Sequence, residues 1–241
     1  MSKIISVVGS DGCGKTTFSI KLAQEIYRIN NGKSKVIVLL PDMKVPSLGF
    51  VFPHRKETEL FSIGKALDKT DIFREDILKN TVTVKSMNNF GYLGFKLGEN
   101  RYSYPQPTKN KILQFISVLK RTADYIITDT ASNDKNYISE IALSQADSTV
   151  QLIVPDFKCL VYYASNENKI CRDINAVKVM NIPANNIYYP KDETANYFNK
   201  VQYILPYSFQ LNKQTFTGKL SEKLSDSKYL KVLNLIAKEV M

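Results

Sequence analysis

Read from its amino terminus, the chain alternates continuous apolar runs with stretches of helical periodicity. "IISVVG" is a continuous apolar run rich in β-branched residues, the pattern of a strand buried on both faces, and it ends in a glycine-rich loop. "KTTFSIKLAQEIYRINNG" follows, with Phe18, Ile20, Leu22, Ile26 and Ile29 near helical spacing and Asn-Asn-Gly as a stop signal. "SKVIVLLPD" then supplies a second buried strand over Val36–Leu40, which makes the first forty residues a βαβ unit.

The alternation continues. Helices are expected around Leu60–Leu67 and Asp71–Lys79, and within "TKNKILQFISVLKRT", "KNYISEIALSQ" and the span Tyr162–Ala176. Strands are expected at "DYIITD", "STVQLIV", "NIYY" and "VQYIL", with one strand and a loop in the irregular "FGYLGFKLGENRYSYPQP". "PSLGFVFPHRKETE" reads either as a mobile surface loop or as an ordered connection. Seven strands alternating with helices predict an α/β fold of three layers, a mostly parallel sheet with helices on both faces and its ligand at the carboxyl ends of the strands. With no internal repeat, low-complexity linker or clear boundary, residues 1–241 are expected to form one domain.

Composition narrows the class. The chain is 44% hydrophobic and 23% charged, as in ordinary soluble globular proteins. Its start has one lysine and a short apolar run, without a signal cleavage pattern, so a cytoplasmic location is expected. Three cysteines (Cys13, Cys159, Cys171) and one histidine (His54) lack metal-ligand spacing and argue against both a disulfide framework and a zinc site. The net charge of +10 either marks a phosphate-bearing partner, DNA or an anionic membrane surface, or follows from a lysine-rich composition; the lysines form no cluster.

The chemistry is concentrated in "GSDGCGKTT", residues 9–17. Gly9, Gly14, Lys15 and Thr16 fit G-x-x-x-x-G-K-[ST] between a buried strand and a helix, the context a phosphate-binding loop requires. Gly9, Gly12 and Gly14 allow the backbone N–H groups to turn inward on phosphate oxygens, and the helix beginning near Lys15 adds its positive end. Asp11 and Cys13 lie within the same cradle. Lys15 is expected on the β and γ phosphates of ATP and Thr16 on Mg2+, while Thr17 either touches the α phosphate or is a tolerated first-turn residue. Asp129, at the end of "YIITD", is expected to hold the magnesium shell or else to cap a turn. Asp42 either orients an attacking water or caps its loop. Cys13 is either a small residue that fits or a thiol activated by the loop's positive potential. No guanine-specific Asn-Lys-x-Asp follows the late strands, which favours ATP over GTP.

The phosphate loop with Thr16-Thr17, the aspartate after the second strand, "ADYIITDT", "ADSTVQLIVPD", "LFSIGKALDK" and "VQYILPY" together resemble the ParA/MinD family of partitioning and positioning ATPases, including its TadZ/CpaE branch. The likeness spans most of the chain and is weakest over residues 80–107. It implies an ATP- and Mg2+-dependent positioning, partitioning or assembly factor with Lys15 and Asp42 as catalytic residues and a protein partner. It also implies a location in the cytoplasm or at the edge of membrane or nucleoid.

Two positions depart from the family pattern. Ser10 stands where the family usually has a lysine that reaches across a dimer, and Asp11 where it usually has glycine. Loss of a cation near the transferred phosphoryl group is worth on the order of 10³ in rate by analogy with a trans arginine, so weak hydrolysis is expected. Asp11 places a carboxylate where two loops would face each other, which disfavours a tight nucleotide-sandwich dimer and leaves a monomer or weak dimer.

Asp11 also resembles the aspartate of thymidylate kinase loops. That alternative lacks an Asp-Arg-Tyr after the middle strand and an arginine-rich lid. A third alternative is an ATP-binding scaffold without catalysis. The closing segment "SKYLKVLNLIAKEVM" has apolar residues at 230, 233, 236, 237 and 240, a face that suits either packing on the domain or, by the resemblance, a membrane anchor.

Overall fold

The computed structural model describes residues 2–132, 136–170, 176–185 and 190–241. Its elements, in chain order, are β1 (Lys3–Gly9), α1 (Lys15–Ile29), β2 (Val36–Leu40), α2 (Ser47–Val51), α3 (Ile63–Leu67), α4 (Arg74–Lys79), β3 (Val82–Val84) and β4 (Met87–Gly94). They continue with α5 (Lys109–Thr122), β5 (Tyr125–Asp129), α6 (Tyr137–Ser144), β6 (Ser148–Ile153) and α7 (Phe157–Ile170). The last are β7 (Val177–Asn181), α8 (Lys191–Tyr197), β8 (Tyr203–Leu205), α9 (Phe209–Phe216) and α10 (Ser227–Val240).

The strands form one sheet of order β3-β4-β2-β5-β1-β6-β7-β8. Every pair is parallel except β3 with β4 at one edge. Alternate residues of the central strands face opposite layers, as the two-residue period of a strand demands. Ile5, Val7, Val36, Val38 and Ile127 join the core under α1 and α10. Ile4, Ile37, Leu39 and Ile126 join the second core under α5 and α6. Because both faces are covered, the continuous apolar runs of β1 and β2 are required.

Among the described residues the sheet has eight strands, one more than the sequence pattern predicts. The stretch read as one strand and a loop holds β4, and β3 precedes it to close a hairpin. Gly91 makes β4 hard to see: a Cβ there would stand 2.2 Å from Thr81 Cγ2, so a strand residue is replaced by glycine to admit its neighbour. The seventh strand is Val177–Asn181; "NIYY" lies outside the described residues. The helix expected within Tyr162–Ala176 begins earlier, at Phe157. "PSLGFVFPHRKETE" is an ordered connection, with Leu48, Val51 and Phe52 of the α2 region buried.

The closing helix α10 packs on the domain. Asp226 caps it, accepting from the N–H groups of Lys228 and Tyr229. Leu233, Ile236, Ala237 and Val240 are all fully buried in the α1 core. Its apolar face is therefore committed to the fold. No helix among the described residues is long and apolar enough to cross a membrane.

Candidate functional site

The glycine loop leaves β1 at the centre of the sheet, with β5 on one side and β6 on the other. Register carries the second half of the site to it: Val7 of β1 lies opposite Asp129 of β5, and Gly9 opposite Leu152 of β6. Sequence-distant residues meet because parallel strands end at one level.

Within the loop, Gly12 and Gly14 have φ of 80° and 91°. Gly14 is the residue before α1, in a left-handed conformation that side chains disfavour. A Cβ at Gly14 would also approach Asn181 Nδ2 to 2.9 Å. That amide, at the end of β7, donates to the carbonyl of Cys13 at 3.0 Å and so fixes the loop from the far side of the sheet. Asp11 is exposed at the loop's tip, and Thr17 is half-buried on the first turn of α1.

Lys15 is buried and folds back over the loop. Its ammonium donates to the carbonyls of Gly9 (2.9 Å) and Ser10 (2.8 Å) and to Ser132 Oγ (2.6 Å). These direct acceptors are all neutral, with the Asp129 carboxylate acting on the ammonium only from a distance, a resting position for a cation whose partner is an anion. Thr16 Oγ1 donates to Asp129 Oδ2 at 2.6 Å. Burial raises the Asp129 carboxyl to about 6, the Thr16 hydrogen bond and Lys15 hold it down, and Asp42 pushes it up. Asp129 Oδ1 is buried and has no hydrogen-bond partner among the described residues. A buried carboxylate oxygen in that state is a ready ligand for a cation.

Asp42 is near enough for its charge to act on Asp129, yet its Oδ1 accepts the N–H groups of Lys44 (2.8 Å) and Val45 (3.2 Å). It caps its own loop in this conformation. The next residue back, Pro41, accepts from Asn136 Nδ2 at 2.7 Å, which ties that loop to the start of α6.

Cys13 departs from the activated reading. Its side chain is buried in the α1 core and burial pushes the thiol up to about 11, outweighing the pull of Lys15. Only its backbone faces the cradle. Ser10 is also buried, with its hydroxyl beside the Cys159 thiol, so that side chain points into the protein. Ser132, after β5, and Asn181, the last residue of β7, join the site without belonging to any motif.

No family model matches the chain, and no curated protein sequence matches it. Solved structures do match in shape. The septum site-determining protein MinD from Pyrococcus horikoshii, complexed with Mg-ADP, has a TM-score of 0.73 at 17% identity, over 100% of this chain and 96% of that one. A ParA family ATPase from Chlorobium tepidum has a TM-score of 0.76 at 11% identity, over 99% of both chains. The chain has the fold of the MinD and ParA ATPases. MinD of Aquifex aeolicus, solved in a MinC:MinD complex, reaches 0.72 at 16% identity over 99% of this chain and 96% of that one. In this MinD/ParA-like fold, β1, α1 and the ends of β5 and β7 build the cradle described above.

Proposed function

We propose that the protein is an ATP-binding positioning or partitioning factor of the ParA/MinD type, with weak hydrolysis. The observation that carries this reading is the pairing of Thr16 with Asp129, beside a lysine whose hydrogen bonds among the described residues go only to neutral oxygens. Hydroxyl and carboxylate suit a hard cation, and Lys15 with the loop N–H groups suits phosphates. Bound Mg2+ would neutralise charge on the β and γ phosphates of ATP.

The chain's own residues divide the work. Gly9, Asp11, Gly12, Cys13 and Gly14 present backbone N–H groups, Lys15 leaves the Gly9 and Ser10 carbonyls for phosphate oxygens, and Thr16 and Asp129 hold the cation. Thr17 faces the α phosphate from the first helical turn. Asp42 leaves its own turn to orient water. The loop holding Asp42 is bonded to α6 through Pro41 and Asn136, so its rearrangement is transmitted to α6.

Buried Ser10 supplies no cation, which supports slow turnover, and exposed Asp11 supports a monomer or weak dimer. We also propose a cytoplasmic location.

The testing experiment measures ATP binding with and without Mg2+ by calorimetry, together with phosphate release in the presence of a panel of nucleoside monophosphates. Tight Mg-ATP binding with slow release indifferent to every monophosphate is expected. Phosphoryl transfer to one monophosphate would replace this reading with a kinase. Absence of ATP binding would end it.

A further inference from the structure

A cleft of about 480 Å3 runs along the C-terminal half of α1, away from the phosphate loop. Its walls come from α1, from the β3–β4 turn and from the segment leading into α10. Hydrogen bonds tie these walls together. Lys21 Nζ donates to the carbonyls of Leu220 (2.8 Å) and Glu222 (2.7 Å), and Gln24 Nε2 donates to that of Ser221 (2.9 Å). Asn89 Nδ2 holds the end of α1 through the Gly32 carbonyl at 2.9 Å. The cleft is preformed, within the size range of small-molecule sites.

Its charges are unequal. Lys21, Arg28 and Lys223 line it against a single carboxylate, Glu25. Glu25 is already paired with Arg28, at 2.8 and 2.6 Å, and accepts from Asn234 Nδ2 at 2.7 Å. Lys21 is only 1% exposed and its ammonium contacts only neutral oxygens: two carbonyls and the Gln24 amide. Burial brings the Lys21 ammonium down to about 7 while the nearby Glu222 carboxylate pulls it up, and an anion in the cleft would further favour its charged form. Met87, Leu224 and Leu230 give the cleft an apolar wall, beside the polar Gln24, Asn31 and Ser86. Inorganic phosphate has no aliphatic body to lie along this wall.

We propose that this cleft binds a small amphipathic carboxylate, with its head toward Arg28 and Lys223 in the field of Lys21 and its aliphatic body along Met87, Leu224 and Leu230. Arg28 has N–H groups beyond the two given to Glu25, and Lys223 is exposed at the cleft. None of these lining residues belongs to the nucleotide site.

The test uses the full chain, with octanoate, octanol, acetate and inorganic phosphate as probes, followed by calorimetry and thermal shift. Octanoate is expected to saturate and raise Tm, with the other three at least about tenfold weaker. Lys223→Glu, at an exposed position, should leave the free protein's Tm unchanged and weaken octanoate about tenfold. Leu230→Trp, which fills the cleft, should abolish binding. Octanol or phosphate binding as tightly as octanoate would overturn the proposal, as would no octanoate saturation in the unaltered protein. Undiminished octanoate binding in both variants would place the site elsewhere and overturn it equally.

Discussion

Thr16 and Asp129 are 113 residues apart in sequence and meet at 2.6 Å, hydroxyl to carboxylate, at the carboxyl edge of β1 and β5. One oxygen of Asp129 is used in this contact and the other is buried without a partner among the described residues. The contact therefore holds half of a cation site closed by its own side chains. Replacing Asp129 with Asn keeps an acceptor for Thr16 but removes the charge. Asp129→Asn is expected to fold and to lose most of the Mg2+ enhancement of ATP binding, read by calorimetry at fixed ATP with increasing Mg2+.

The same carboxyl gives a pH dependence. Its folded value of about 6 lies above the ordinary 3.8, so between those values the folded state holds more protons than the unfolded state. Its contribution to stability is complete below about pH 4 and is lost as pH rises through 6. The loss amounts to about 3 kcal/mol at most. Urea unfolding from pH 4 to 8 should show this decline in the unaltered protein and not in Asp129→Asn. Mg-ATP affinity should run the other way, falling below pH 6 as the carboxylate takes up a proton.

Much of the fold was legible because its strands are buried on both faces. Ile4–Val8 and Val36–Leu40 cannot be read as anything half-exposed, and the glycine loop between β1 and α1 is contiguous in sequence. Legibility failed where a tertiary neighbour set the residue. Gly91 interrupts β4 because Thr81 lies against it, and Lys178 gives β7 a polar position whose ammonium is satisfied by the Phe198 carbonyl at 2.7 Å. In the site, the phosphate loop, Asp129 and Asp42 could be placed by their strand ends. Ser132 and Asn181 could not, since their roles depend on which strands become neighbours. The inward direction of Ser10 was hidden for a similar reason, because its partner Cys159 lies on α7.

Lys15→Ala should abolish measurable ATP binding, a loss of about 100-fold or more, since a charge-assisted contact to phosphate is worth about 1.5–3 kcal/mol and the lysine reaches more than one oxygen. Asp42→Ala should retain binding and lose any turnover. Because Asp42 also accepts two N–H groups of its own loop, some loss of stability accompanies this change. Binding affinity and phosphate release, measured on both variants, separate the two roles. Unchanged affinity in Lys15→Ala would overturn the assignment of the phosphate site.

Gly14→Ala tests the loop's backbone. With φ at 91° and a Cβ position 2.9 Å from Asn181 Nδ2, the substitution strains the chain and pushes on the amide that holds the Cys13 carbonyl. A destabilisation of about 1–3 kcal/mol is expected, with loss of ATP binding. Asn181→Ala combined with Gly14→Ala should recover part of the stability, because the crowding is removed and the backbone strain remains. Denaturant midpoints for the two single variants and the double variant give that coupling.

Leu233 and Ile236 of α10 are fully buried against the core shared with α1, so the face that would enter a membrane is already occupied. Ile236→Ala should cost about 2–5 kcal/mol as a core truncation. On a membrane-inserting helix outside the fold, the same change would leave the unfolding midpoint alone and weaken vesicle binding. Chemical denaturation alongside sedimentation with anionic vesicles distinguishes the two. A large midpoint shift without a vesicle effect is the expected result, and any retention on anionic surfaces should then fall with salt, as exposed lysines alone require.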